Sequence, residues 1–456
     1  MSQVFAVSTG YGAATLAAAL DAGLFGGAGA RPRILLVTHN AGNPEVIPPP
    51  TRLPGFERLR ARFDRVAHWN EIIHPHHPAA WSPRAQDVPA WQRLLRTTWL
   101  LDADEPVELV LESIQTEPAR AIAALFPDSP VDLYADGLMS YGPTRNALPH
   151  TLHGRIRRLL HPDLVPGLWP LLLSEHDIPT ETVPDAQFTA VLDELAFCAP
   201  SLGEYPQGAA LILGQYLAAT GILTETEEHE LYARMVRAAA AHGHRQAVFK
   251  PHPAAPPAVT RALHRAADDS GITLTVCEAP VLAESLVRRL RPALVVGCFS
   301  TALLTTAVLH RVPTATVGTD LLLERLTPYE NSNRIPATLA RALLPDLEHD
   351  TAAGRPVGPI DLSPARIGAE VEPLLAAVGH CMQPQRCAHL REQGERFLAA
   401  HSEGGLGLDA ATAPYFKRRR LRSLGLPGAP PPSTPTSRLL AAARHHLDRL
   451  KGTATR

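Results

Sequence analysis

The chain has 456 residues, of which 45% are hydrophobic and 19% charged, the balance of a soluble globular enzyme long enough for two domains. A formal net charge of −2 gives no reason to expect nucleic acid or an acidic polymer as partner. Five cysteines with no Cys-x-x-Cys pair argue against a disulfide framework or a zinc cluster; no apolar run reaches the ~18–20 residues of a membrane span, and the start lacks the charged region of a signal peptide, so a cytoplasmic protein is expected.

Residues 4–8 are an apolar run, followed by Thr9-Gly10-Tyr11-Gly12 and an alanine- and leucine-rich stretch over 13–22. Strand, glycine turn and helix open a doubly wound unit. A dinucleotide fingerprint is incomplete: Thr15 stands where its third glycine belongs, and the next strand, 33–38, ends in His39-Asn40 without a ribose-binding acid. Gly10 still lets the backbone approach a ligand closely. A proline-rich loop over 41–60 precedes His68, His74, His76 and His77, which prolines interrupt; the spacing fits a solvated loop better than a metal site. Residues 107–112 read as a strand and 116–126 as a helix with Pro118 in its first turn. The strand 131–134 runs into Ala135-Asp136-Gly137, where the glycine frees the backbone to present Asp136 at a strand's carboxyl end. The stretch 150–195 reads as helical and proline-punctuated, the end of a first domain.

A second series follows: strand 209–214, helix 224–242 with acids at its start, and a strand ending in Lys250-Pro251-His252-Pro253. Both prolines forbid continuation of the ladder, so His252 is held just past a strand end, where open α/β sheets bind ligands. Only three lysines occur in the chain, and Lys250 is one of them. After helix 257–270, strand 272–276 and helix 282–289, the strand 293–296 leads into Gly297-Cys298-Phe299-Ser300-Thr301, hydroxyls at a helix start that suits an anion or serves as a plain cap. From about 385 the pattern weakens. A basic cluster, Lys417 to Arg420 with Arg422, precedes a proline-rich linker and a short amphipathic helix near the end. Basic plus amphipathic points to peripheral contact with an anionic membrane; a solvated tail is the alternative. The expected division is 1–195, 196–385 and a tail over 386–456.

Asp136-Gly137, Lys250-Pro251-His252-Pro253 and Ser300-Thr301, each after a predicted strand and in that order, resemble the motifs of bacterial sialyltransferases, most closely the capsule-type polysialyltransferase family. The stretches 160–173 and 329–336 are similar to that family as well, and the resemblance covers about residues 1–380. It implies an α/β fold of the GT-B kind, two Rossmann-like domains facing a cleft, an acceptor domain first and a nucleotide-donor domain second. It also implies metal-independent inverting transfer of sialic acid, or a related nonulosonic acid, from a CMP-sugar to a glycan hydroxyl in polysaccharide biosynthesis, with no cofactor beyond the donor.

On that resemblance Asp136 is the general base, and His252 assists the departing CMP phosphate. Ser300 and Thr301 bind that phosphate, Glu284 in Pro280-Val281-Leu282-Ala283-Glu284 meets the ribose, and Lys250, Pro253 and Gly10 line the donor site. The chemistry agrees independently, since a leaving phosphate can be stabilised by a helix N-terminus, a hydroxyl pair and an imidazolium without a metal cation. The family carries two acids before the glycine, and here the first is Ala135; Asp132, two strand-face repeats back but on the same face as Asp136, is the weaker candidate to substitute for it. The competing expectations are a CDP-glycerol-type glycerophosphotransferase and a non-catalytic nucleotide-binding protein that has kept the fold.

Overall fold

Short apolar runs bounded by glycine, proline and polar residues become buried strands in two parallel sheets. The computed structural model describes residues 1–42, 47–135, 137–199, 205–252, 260–349, 357–402 and 407–429. Strands β1 (Ser2–Val7), β2 (Arg33–Val37), β3 (Arg65–His68), β4 (Val107–Glu112), β5 (Val131–Tyr134), β6 (Ile156–Pro162) and β7 (Thr180–Val183) lie in the order β3-β2-β1-β4-β5-β6-β7. Strands β8 (Ala210–Leu213), β9 (Gln246–Lys250), β10 (Thr273–Val276), β11 (Leu294–Gly297) and β12 (Thr314–Thr316) lie in the order β10-β9-β8-β11-β12. Neighbouring strands are parallel throughout both sheets. Two doubly wound sheets of this kind are the two Rossmann-like domains of the GT-B expectation. Each sheet reverses its order once, between β1 and β4 and between β8 and β11. Ligand crevices of open α/β sheets open at those places.

The period-two alternation of β1 explains how the first sheet is covered. Val4 and Ala6 enter one core and Phe5 and Val7 the other, all of them buried. The second sheet shares a single large core with the helices after it, including Glu372–Met382. The acids at the start of helix Glu225–Ala241 belong to a capping box, in which the Thr224 hydroxyl and the Glu227 carboxylate each accept from the other residue's backbone N–H.

Two differences from the sequence expectation have a physical cause. The stretch 150–195 contains β6 and β7 as well as helix Asp185–Cys198. Arg157 and Arg158 interrupt the apolar pattern of β6 because they serve an ion cluster: Arg157 Nε lies 2.8 Å and Arg158 Nη2 3.0 Å from the two oxygens of Asp132. That contact also removes Asp132 as a substitute base. Its side chain is 1% exposed and bridged by two guanidinium groups, so it braces β5 against β6 and cannot reach an acceptor.

Residues after 385 stay on the second domain for some distance. Helix Arg391–Ala400 packs so closely on Glu372–Met382 that a Cβ at Gly394 would lie 3.0 Å from the Ala377 Cα. Within the basic cluster, Arg420 donates to the carbonyls of Cys381 and Met382 and pairs with Glu330, and Lys417 donates to the Glu324 carbonyl. Arg418, Arg419 and Arg422 remain exposed. The amphipathic end of the tail lies outside the described residues.

Candidate active site between the two sheets

Three loops of the second domain leave the carboxyl ends of β9, β10 and β11. At the end of β9, Lys250 is buried and its Nζ donates to the Ala279 carbonyl at 3.0 Å, which ties the histidine loop to the segment leading into Glu284. Burial pushes the Lys250 ammonium below its ordinary pKa, opposed by Cys277. The His252 ring packs on Tyr216 with 4.3 Å between centroids. Burial, reinforced by the Lys250 charge, pushes its imidazole down to about 4, so near neutral pH it carries one N–H and one lone pair. It is a hydrogen-bond donor there and not an imidazolium.

After β10, Glu284 occupies the first turn of helix Ala283–Leu290 and is 3% exposed. Burial pushes its carboxyl up to about 7, opposed by its own backbone N–H. After β11, Ser300 caps helix Thr301–Thr305 by accepting from the Ala302 N–H at 3.3 Å. The helix continues through a π-helical turn, Thr306–His310.

The domains meet along this helix. Thr301 Oγ1 accepts from the Leu138 N–H at 3.4 Å, and a Cβ at Gly137 would lie 2.9 Å from the same oxygen. The backbone of Gly137 is extended, so glycine is favoured here by the approach of the other domain's Thr301 and not by its own turn. One turn on, Tyr11 Oη and Thr305 Oγ1 lie 3.0 Å apart. Gly10 sits beside Leu53 and Leu282, where a Cβ would meet their methyl groups at 3.2 and 3.4 Å. The first glycine turn is thus a close approach between domains, next to the segment that carries Glu284.

The sequence-predicted residues therefore fall into two groups. Thr301, next to Ser300, meets the Gly137 loop across the cleft, as Gly10 meets the Glu284 segment; Lys250, His252 and Glu284 sit at or just after the strand ends of the second domain. Asp136 and Pro253 lie outside the described residues. Of the histidine cluster, His77 uses both ring nitrogens on local backbone, Nδ1 accepting from Ala79 N–H and Nε2 lying 2.9 Å from the Ala41 carbonyl.

The first domain's own switch point holds residues that the sequence did not single out. Glu112 ends β4 and its Oε2 accepts from the backbone N–H and hydroxyl of Ser8, at the end of β1, at 2.8 and 2.7 Å. Ser113 follows with φ at +36°, a left-handed conformation unusual for serine. An acid closing an apolar strand was the available signal. A larger cavity of about 550 Å³ lies elsewhere, around Asp193, Arg288, Arg291 and His310 at the far end of helix Ala283–Leu290, away from these strand ends.

Two Rossmann-like domains closing on a cleft through a hydroxyl-bearing helix form the GT-B architecture of a glycosyltransferase. The chain belongs to the alpha-2,8-polysialyltransferase family: the family model described as alpha-2,8-polysialyltransferase (POLYST) matches residues 3–319. No curated protein matches the chain. Among solved structures, it is similar to the GT-B domain of a sialyltransferase from Photobacterium damselae, at 13% identity over 74% of this chain and 95% of that one with a TM-score of 0.41. It is also similar to MurG of Acinetobacter baumannii, at 12% identity over 87% and 95% with a TM-score of 0.37. A UDP-glucosyltransferase from Polygonum tinctorium matches at 12% identity over 91% and 97% with a TM-score of 0.38.

Proposed function

We propose that the protein transfers sialic acid, or a related nonulosonic acid, from a CMP-activated donor to a glycan hydroxyl by a single inverting displacement without a metal ion or further cofactor. The observation that carries this reading is the meeting of Thr301 with the Gly137–Leu138 loop across the cleft, because it juxtaposes a phosphate-suited helix start with the loop bearing Asp136. Asp136 takes the proton of the acceptor hydroxyl as its oxygen bonds the anomeric carbon. The bond from that carbon to the CMP phosphate breaks, and the electron pair leaves with the phosphate.

Ser300, Thr301 and the free N–H groups behind them receive the phosphate charge, and neutral His252 donates its N–H to it. Glu284, poised by burial near neutrality, accepts from the ribose hydroxyls. Lys250 and Pro253 fix the histidine loop. The Lys250 contact with Ala279 supports that role, since it holds two donor-facing loops in one register.

No helix among the described residues is long and apolar enough to cross a membrane. The exposed Arg418, Arg419 and Arg422, with the tail beyond them, are proposed to meet an anionic membrane from the cytoplasmic side. Deleting residues from about Pro427 onward should weaken binding to anionic liposomes while sparing turnover on soluble acceptors, and replacing Arg418, Arg419 and Arg422 with glutamate as well should abolish it; binding unchanged by both would dispose of the membrane contact.

The donor assignment is tested by incubating the protein with a set of CMP-activated acids and measuring free CMP, beside melting curves with CMP and UDP. CMP should raise Tm in proportion to RT ln(1 + [L]/Kd) and UDP should not. Equal shifts with both nucleotides, or release unchanged by His252→Ala, would overturn it.

A further inference from the structure

At the end of helix Ala283–Leu290 away from Glu284, the cavity of about 550 Å³ is walled by residues of both domains. Asp193, Ala196 and Phe197 come from helix Asp185–Cys198, which packs on the first sheet's core through Phe188, Val191, Leu192 and Leu195. Its charged lining is Arg288, Arg289 and Arg291 against one carboxylate, Asp193. Arg288 pairs with Asp193 across the seam between the domains. Arg289 and Arg291 are exposed and have no carboxylate partner among the described residues. Burial first, and then the Arg288 charge, push the His310 imidazole down to about 4 against the pull of Asp193, so this further basic side chain adds no charge near neutral pH.

Basic side chains in a last helical turn complement the dipole, which accounts for Arg288 and Arg289. It does not account for Arg291. That residue ends the helix at φ +46°, a left-handed position where glycine is usual and any other side chain costs backbone free energy. Arginine there is explained by its side chain, which lines the cavity.

A cavity of this size suits one small organic molecule. Guanidinium groups read carboxylate and phosphate through paired N–H donors. The rest of the lining is largely apolar, with Val287, Pro292 and Val312 beside Phe197, which is 77% exposed. A cation would be repelled by the excess of arginine, and a wholly apolar molecule would strip water from charges it cannot pair. The two arginines and the phenylalanine are all open to solvent, so a ligand reaches them without rearrangement.

We propose that this cavity binds a small organic anion, a phosphate or carboxylate carried on a ring, with the oxyanion on Arg289 and Arg291 and the ring on Phe197. The site is separate from the reacting cleft and does not depend on the donor reading above. Because one wall comes from each domain, occupancy tightens the seam that Arg288 and Asp193 already bridge.

The test titrates the full chain by calorimetry with three probes: inorganic pyrophosphate, which has charge and no ring, AMP, a phosphate on a ring, and glucuronate, a carboxylate on a ring. Comparing wild type with the double variant Arg289→Gln/Arg291→Gln isolates this cavity from the helix start at Thr301, which also suits an anion. The double variant should bind AMP or glucuronate at least about tenfold more weakly, with an unchanged Tm because both side chains are exposed. Arg289→Lys/Arg291→Lys, which keeps the charges and loses the forks, should fall between the two. Phe197→Ala should weaken the same organic anion and spare pyrophosphate. Whichever of AMP and glucuronate binds identifies the oxyanion as phosphate or carboxylate. No saturable binding of either by wild type would overturn the inference. So would binding unchanged by the glutamine variant, or an organic anion indifferent to Phe197→Ala.

Discussion

Each domain buries a group of ionisable residues, and the two groups are balanced in opposite ways. Under the first sheet, Asp132 is held by Arg157 and Arg158, and Glu108 by Arg31 at 2.7 Å and Arg157 at 2.9 Å. Burial alone would raise the Glu108 carboxyl, but Gln3, Arg157 and Arg31 outweigh it and hold it below the ordinary range. Beside the second sheet, burial raises Glu284 with only its own N–H opposing, and at His252 burial and the Lys250 charge act in the same direction. Charges that are paired brace strands. Groups that burial drives toward their neutral forms are available for chemistry near neutral pH. The contrast separates scaffold from site within one family of residue types.

The strongest way to break that comparison is to remove a group from the second set. His252→Ala should slow both transfer and donor hydrolysis by ~10²–10⁴, roughly 3–5 kcal/mol, with little change in urea midpoint. A large loss of stability with unaltered donor hydrolysis would place His252 with the scaffold instead. The converse variant, Asp132→Asn, should cost ~2–3 kcal/mol of stability, because two guanidinium groups lose a charged acceptor. Arg157 and Arg158 are partly exposed and can rehydrate, which keeps the figure below that of a fully buried pair. CMP affinity measured by calorimetry should be unaffected, and a matching loss of affinity would dissolve the distinction.

A subtler test is the pH dependence of stability. The folded state keeps the Glu284 proton to about pH 7, above the 4.5 of the free group, so this residue favours folding at low pH and loses that contribution as pH rises through 7. His252 does the reverse. Its folded value of about 4 lies below the ordinary 6.5, so its contribution is present above 6.5 and lost as pH falls toward 4. Between about 4.5 and 6.5 the two slopes oppose each other. Glu284→Gln should leave a stability that rises with pH across that window, and His252→Asn one that falls, in urea denaturation at half-unit steps. Identical slopes in both variants would show that neither group is desolvated as described. The smallest effect should come from Gly137→Ala, whose methyl group must push Thr301 aside; a several-fold loss of CMP affinity, about 1 kcal/mol, is expected from titration.

Much of the second domain's side was legible in the sequence because each candidate sits directly after a strand, and proline, glycine or hydroxyl residues mark those ends locally. His252 and Ser300 needed no knowledge of which strand lies beside which. Strand β6 was not legible, since Arg157 and Arg158 break its apolar pattern for partners 25 and 26 residues away. The cavity around Arg289 and Arg291 was hidden for a related reason. It exists only because Arg288 meets Asp193, 95 residues away on a helix of the other domain, a meeting that no short motif records. The place of Gly137 was likewise half legible: the glycine after Asp136 was evident, but its reason, an oxygen 2.9 Å from its absent methyl, belongs to the other domain.

Thr301 has one hydroxyl and two uses for it. Its oxygen accepts from the Leu138 N–H of the first domain, and on the proposed reading its hydrogen donates to the phosphate at the helix start. Donation to an anion makes that oxygen a better acceptor, so each of the two hydrogen bonds strengthens the other. Occupancy of the second domain and its grip on the first are then linked by a coupling free energy that is equal in both directions. On the proposed reading, departure of the anion loosens the same hydroxyl's hold on the opposite wall, so that release of the spent nucleotide relaxes the cleft.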